Sequence, residues 1–276
     1  MSLRKSNTSR FGFRTLLLCF CIIVGWAAQA QHPDFTPYEK YAFQSGEQTL
    51  PYRLLRPVNT DTSKRFPLVI FLHGAFEKGT DNEAQLGIGG RFFLRDSVRN
   101  RYPTFVLFPQ CPETDSWAYF DNTMNLTTGQ AENWKFPFRK QPTGIAGALK
   151  NLIDSLVQQD KVDTKRIYIA GLSQGGMGVL DMIARYPDTF AAGISICGAG
   201  NVTTVKQFND KVALWLFHGE KDDVVPASFS RSYYKKLQKQ NGDVRYTEYP
   251  QTGHNSWVKA FAEPDFLMWL FSKQKK

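Results

Sequence analysis

Cysteine and histidine are scarce in this chain: 276 residues contain four of each. Two of the cysteines, Cys19 and Cys21, fall in a leading apolar stretch, so only Cys111 and Cys197 lie in the remainder. That excludes a disulfide scaffold and a cysteine-rich metal site. No repeat and no Pro/Ser-rich linker divides the chain, and no run of basic residues suggests a nucleic-acid track beyond the short terminal stretch Lys273-Gln274-Lys275-Lys276. The apolar stretch Leu16 to Trp26 is shorter than the roughly 20 residues a membrane-spanning helix needs.

That stretch has the form of an export signal. Arg4, Lys5, Arg10 and Arg14 precede it and Ala28-Gln29-Ala30 follows, which places cleavage after Ala30 and the mature protein in the periplasm or outside the cell. A retained N-terminal anchor is the alternative. Leu18, before Cys19, is too large for a lipid-attachment site. Losing four basic residues and no acidic one lowers the formal charge from +9 to +5, an ordinary solvated surface. Residues 31–276 then suffice for a single domain with one large core.

Tyr38–Phe43 and Thr49–Pro57 read as an antiparallel pair of strands. Pro67–His73 is apolar on both faces, as a strand inside a parallel sheet must be, and Thr104–Phe108, Arg166–Ala170, Ala191–Ile196 and Val212–Phe217 repeat the pattern. Arg245–Tyr249 supplies the last strand. Helical spacing runs over Thr143–Val157, Gln174–Tyr186 and Ala227–Gln240, the last opened by Pro226 and closed by Asn241-Gly242. Strands alternating with helices predict an α/β fold, a mostly parallel twisted sheet covered on both faces, with function at the carboxyl ends of the strands.

Those ends carry Gly171-Leu172-Ser173-Gln174-Gly175, matching the GxSxG turn that lifts a serine nucleophile above a sheet. By itself the pattern is equally compatible with a structural glycine turn. A phosphate loop is a poorer match, because no Lys-Ser/Thr pair follows the glycines. A serine nucleophile needs a base. His32 lies beside the cleavage site, while His73 and His218 each precede a glycine after a buried strand, where holding loop backbone is the expected task; His254 remains. An acid to orient His254 should come from the loop Glu220–Pro226, where spacing does not choose between Asp222 and Asp223. The N–H of Gln174 is placed to meet a developing oxyanion.

With LHGA at 72–75, Gly79-x-Asp81-Asn82, FPQCP at 108–112 with Trp117, GLSQGG at 171–176, FHGEKDDVVP at 217–226 and TGHNSW at 252–257, the chain resembles the α/β-hydrolase-fold serine esterases. The resemblance is to the carboxylesterase- and peptidase-like group that includes polyhydroxybutyrate depolymerase and feruloyl esterase relatives, and it spans nearly all of residues 31–276. It implies Ser173 as nucleophile, His254 as base and Asp222 as acid, with Ala75 N–H as the second oxyanion donor. It also implies a substrate-binding place for Trp117, against the alternative of core burial. Phe76 stands where relatives often carry glycine, and either narrows the pocket or packs on its loop. Usual strand order puts Cys111 and Cys197 on strands three spacings apart, on the order of 14 Å, so two free thiols are expected.

The function implied is hydrolysis of a carboxylic ester, small or polymer-linked, through an acyl-enzyme. It requires no metal or other cofactor, no nucleic acid and no stable membrane anchor. The alternatives are a serine peptidase acting on short peptides and an exported carbohydrate- or polyester-binding protein without chemistry.

Overall fold

The structure is a computed structural model that describes residues 34–58, 63–158 and 161–275; the expected leader over residues 1–30 lies outside them. Strands β1 (Tyr38–Ser45) and β2 (Gln48–Leu55) pair antiparallel, with Tyr38 opposite Leu55. The chain continues through β3 (Phe66–Leu72), the short helices α1 (Gly90–Leu94) and α2 (Asp96–Arg101), and β4 (Phe105–Pro109). A hairpin of β5 (Asp121–Met124) and β6 (Ala131–Lys135) precedes α3 (Gly144–Gln158), β7 (Val162–Leu172) and α4 (Gln174–Arg185). Then come β8 (Ala192–Ile196), β9 (Ala213–Gly219), α5 (Ser228–Lys239), β10 (Val244–Tyr249), α6 (Trp257–Ala260) and α7 (Phe266–Phe271).

Among the described residues the main sheet runs β1-β2-β4-β3-β7-β8-β9-β10. β2 is antiparallel to β1 and to β4, and every pair from β4 onward is parallel. This is the mostly parallel α/β sheet that the alternation of patterns predicts, with an antiparallel N-terminal pair, in the order that the α/β-hydrolase resemblance implies. It also puts β4 and β8 three strand steps apart, and Cys111 and Cys197 are free, buried thiols.

The central strands are apolar on both faces because each face has its own core. Leu68, Ile70 and Leu72 of β3 point into one layer with Ile167 and Ile169 of β7 and Leu214 and Leu216 of β9, where α3, α4 and α5 cover them. Val69, Phe71, Tyr168, Trp215 and Phe217 point into the other, closed by Phe92 and Phe93 of α1 and Phe266, Trp269 and Leu270 of α7. At about 1.5–3 kcal/mol for each large side chain fully buried, these layers supply the rigidity that a site at the strand ends requires.

The hairpin β5–β6 is the element that sequence pattern does not announce. Its strands, DNTM and AENWK, are short, exposed and mostly polar. What fixes it is contact through a few rings: Trp134 stacks with Phe136 at 5.8 Å, Phe120 lies 6.0 Å from Trp134, and Phe136 meets Phe229 of α5 edge-on at 5.2 Å.

Candidate active site

The turn from β7 into α4 is too tight for side chains on its flanks. A Cβ on Gly175 would lie 2.0 Å from the carbonyl oxygen of Leu72, and one on Gly171 would lie 2.6 Å from the backbone of Gly175. Both are nearer than any Cβ approaches. Between them Ser173 takes φ 53°, ψ −119°, a backbone region costly for a residue with a side chain. Its N–H donates to Ile196 O at 2.9 Å and its C=O accepts from Met177 N at 3.0 Å, so both ends of the strained residue are held.

His254 reaches Ser173 from the loop after β10. Its Nε2 lies 3.0 Å from Ser173 Oγ and its Nδ1 lies 2.8 Å from Asp222 Oδ2. A carboxylate only accepts, so the Nδ1 bond carries the proton and leaves the Nε2 lone pair facing the serine hydroxyl. The His254 loop and the acid loop are clamped together: Lys221 N donates to Thr252 O at 2.8 Å and Glu220 N to Tyr249 O at 3.0 Å. Gly219 permits this, since a Cβ there would lie 2.2 Å from Gly253 O.

Asp222 and Asp223 separate by direction. Asp223 is exposed, whereas the Asp222 side chain is fully buried. Asp222 Oδ1 accepts from the N–H groups of Val224 at 3.0 Å and Val225 at 2.9 Å. Burial alone would push its carboxyl up, but the hydrogen bonds from His218, His254 and the Val225 N–H outweigh that and hold it well below the usual carboxylate range.

His218 is the contact that the sequence pattern conceals. Its ring is completely buried, with Nε2 2.8 Å from Val225 O and 3.2 Å from Asp222 Oδ2, and Nδ1 2.7 Å from Ser230 Oγ. It therefore does hold loop backbone, and it also touches the acid. His73 binds backbone on the other side: Cys111 N donates to its Nε2 at 2.9 Å, and its Nδ1–H donates to Gly74 O at 2.7 Å. Burial pushes the His73 imidazole down to about 4, so it is neutral near pH 7.

A Cβ on Gly74 would stand 3.6 Å from Ser173 Cβ, so the 73–75 turn runs directly beside the serine. Ala75 and Gln174 are both half-buried at this edge. Gln174 is the first residue of α4, so its backbone N–H belongs to the first turn, which has no acceptor within the helix. Behind the turn, Gln110 knits the Gly79-x-Asp81-Asn82 segment together, donating to Asp81 Oδ1 at 2.9 Å and accepting from Asn82 N at 2.6 Å.

Trp117 needs correction. It is 1 % exposed, its indole N–H donates to His73 O at 3.2 Å, and it packs in the core beneath the site. No ring face is open for a substrate to stack on. Phe76 is the reverse: at 97 % exposure it does not pack on its loop and projects into solvent. The open side of the acid loop forms a groove of about 590 Å³ with the hairpin edge Gln130–Trp134, Lys221–Asp223, Pro226, Ser228 and Phe229.

Cys197 lies beneath the cluster, its sulfur within 4.8 Å of a carboxylate oxygen of Asp222 and a ring nitrogen of His254. Burial, with the Asp222 charge adding to it, pushes this thiol up, so it stays protonated and is a poor nucleophile.

Residues 56–265 match the family model described as phospholipase/carboxylesterase. The chain is 26 % identical over 200 residues to poly(3-hydroxyalkanoate) depolymerase C of Paucimonas lemoignei, covering 71 % of this chain and 42 % of the depolymerase. It is 27 % identical over 247 residues to acetylxylan esterase A of Aspergillus ficuum, covering 77 % of this chain and 78 % of the esterase. A crystallised thermostable esterase superposes with a TM-score of 0.76 at 34 % identity, over 87 % of this chain and 64 % of that one. The chain thus spans under half of the depolymerase and just under two thirds of the crystallised esterase.

Proposed function

The chain belongs to the phospholipase/carboxylesterase family, and from that footing we propose that it hydrolyses carboxylic esters through an acyl-enzyme on Ser173. The observation that carries the proposal is the unbroken hydrogen-bond chain from Ser173 Oγ through His254 to Asp222, with the serine held at φ 53° on a turn that only glycines can flank.

Ser173 gives its proton to His254 Nε2 as Oγ attacks the ester carbonyl. Asp222 keeps the imidazole in the correct tautomer and stabilises the imidazolium. The N–H groups of Ala75 and Gln174 receive the oxyanion, a task usually worth about 3–4 kcal/mol for each donor. His254 then protonates the departing alcohol, and water, deprotonated by His254, releases the acid. None of these steps draws on a metal or other cofactor.

The groove beside Asp222 supports an ester on a bulky or polymeric partner, because it is open and combines aromatic rings with carboxylate, amide and ammonium groups. The named relatives act on polyhydroxyalkanoate and acetylated xylan, and we assign this chain to acylated polysaccharide or polyester on that footing. Export belongs to the same proposal and rests on the basic, apolar and Ala28-Gln29-Ala30 pattern of the first thirty residues.

The test is a screen of aryl acetates, acetylated xylo-oligosaccharides, hydroxybutyrate oligomers and peptide anilides, with Ser173→Ala as the blank. Hydrolysis of esters but not anilides, lost in Ser173→Ala, is the expected result. Faster cleavage of the anilides would move the assignment to a peptidase, and no hydrolysis at all would move it to a binding protein.

A further inference from the structure

The acid of the proposed triad is held by two imidazoles, of which the hydrolytic scheme uses one. Asp222 Oδ2 accepts from His254 Nδ1 at 2.8 Å, and His218 Nε2 lies 3.2 Å from the same oxygen. The tautomer of His218 follows from its partners. Val225 O, 2.8 Å from Nε2, and the Asp222 carboxylate are both acceptors, so the proton sits on Nε2. Nδ1 is then a lone pair and takes the hydroxyl hydrogen of Ser230, 2.7 Å away. With Val224 N and Val225 N on Oδ1 and His254 Nδ1 on Oδ2, Asp222 receives three undivided N–H donors, and the His218 N–H, shared with Val225 O, reaches the remaining acceptor position at 3.2 Å.

We propose that His218 is a positioning residue for ester hydrolysis: capped by Ser230 and donating to Asp222 Oδ2, it fixes the carboxylate at the angle that holds His254 against Ser173. This rests on the reading of Ser173, His254 and Asp222 as the catalytic triad. The Val224 and Val225 bonds anchor Oδ1 alone and leave the carboxylate free to turn about that anchor. A second donor on Oδ2 removes the rotation. Because Ser230 belongs to the first turn of α5, the helix that packs against β10 and β9 also holds the ring of the residue behind the acid. A histidine suits the place because one ring spans two partners in opposite directions, 2.7 Å and 2.8 Å away, without a rotatable bond between its donor and its acceptor.

The experiment compares kcat and KM on an aryl acetate for wild type, His218→Leu, His218→Gln, Ser230→Ala and Ser173→Ala, with thermal unfolding of each. His218→Gln keeps an N–H donor near the Nε2 position, and Ser230→Ala keeps the imidazole while removing the hydroxyl that holds its Nδ1 edge in place. The expected result is a kcat about 10- to 100-fold lower in His218→Leu, the scale set by an ångström of misplacement, with KM within about 2-fold. His218→Gln should recover most of that loss, and Ser230→Ala should lose several-fold in kcat while folding normally. Wild-type kcat in folded His218→Leu, equal losses in the Leu and Gln variants, or a loss carried by KM alone would overturn the proposal. Should His218→Leu fail to fold, wild-type kcat in Ser230→Ala overturns it. An active Ser173→Ala would instead remove the triad reading beneath it.

Discussion

Two histidine-glycine pairs, His73-Gly74 just after β3 and His218-Gly219 at the end of β9, flank the serine from opposite sides, and they are built for different tasks. His73 spends both ring nitrogens on backbone, at Cys111 N and Gly74 O, and so shapes the turn that runs beside the serine. His218 spends one on a hydroxyl and shares the other between backbone and the Asp222 carboxylate. The same dipeptide, buried at the end of a strand in the same sheet, thus shapes main chain on one side and a line of side chains on the other. The difference comes from what folds over it: FPQCP crosses the first turn, while the first turn of α5 and the acid itself cross the second.

The contrast breaks most sharply on the acid side. Asp222→Asn should reduce kcat about 10³- to 10⁴-fold, as expected when a triad histidine loses the acceptor that fixes its tautomer, while Asp223→Asn stays within about 2-fold. Steady-state kinetics on one aryl ester checks both. Comparable losses in the two variants would erase the distinction drawn from their exposure.

On the other side the larger effect should be on stability. His73→Leu leaves buried Cys111 N and Gly74 O without their partner, each costing about 1–3 kcal/mol. Urea unfolding at pH 7 should therefore show a loss of about 2–6 kcal/mol, and the folded fraction should retain more activity than Asp222→Asn. A variant of unchanged stability would show that the turn does not depend on its imidazole.

Acid sharpens the same contrast. The folded-state value for His73, about 4, lies below the usual 6.5, so the unfolded chain binds the extra proton first as pH falls. Its contribution is complete above pH 6.5 and is lost progressively toward pH 4, by about 3 kcal/mol at 1.36 kcal/mol per unit. Asp222, whose carboxyl is held low, has the same sign in a lower window: its stabilisation is present above the ordinary carboxylate range and disappears only under stronger acid. Denaturant midpoints measured from pH 7 to pH 4 should fall more steeply for wild type than for His73→Gln.

The smallest effect belongs to Phe76. Its ring, 97 % exposed after the His73-Gly74 turn, contributes no packing, so Phe76→Gly should change stability by no more than about 1 kcal/mol, the scale of a surface residue replaced by glycine. If the ring narrows the entrance, KM should fall for bulky esters and stay constant for acetates. Equal KM changes for both would show that Phe76 does not select by size.

Much of this was legible in the sequence because the strands announce themselves. Runs such as Pro67–His73 and Val212–Phe217 are apolar on both faces only where two cores exist, and the strand ends then bring residues 173, 222 and 254 within reach of one another. Asp222 could not be told from Asp223 by spacing, because the choice depends on the turn that points one side chain inward. The β5–β6 hairpin was hidden for another reason: its strands are polar, and only Trp134 and its stacked neighbours tie it down. Trp117 shows the limit for aromatics, since a tryptophan near the site reads the same whether its ring is open to a ligand or buried with its N–H on a carbonyl. The contact of His218 with Asp222 was invisible because the end of β9 and the two-residue turn Glu220-Lys221, rather than a helical turn, bring them together.

The central claim is that Ser173 becomes acylated, and it is tested most directly by treating the protein with a fluorophosphonate and locating the adduct by peptide mass spectrometry. The account predicts one adduct per chain, on Ser173, formed together with loss of ester hydrolysis and absent from Ser173→Ala. Labelling elsewhere that abolishes hydrolysis, or full hydrolysis by Ser173→Ala, would contradict it.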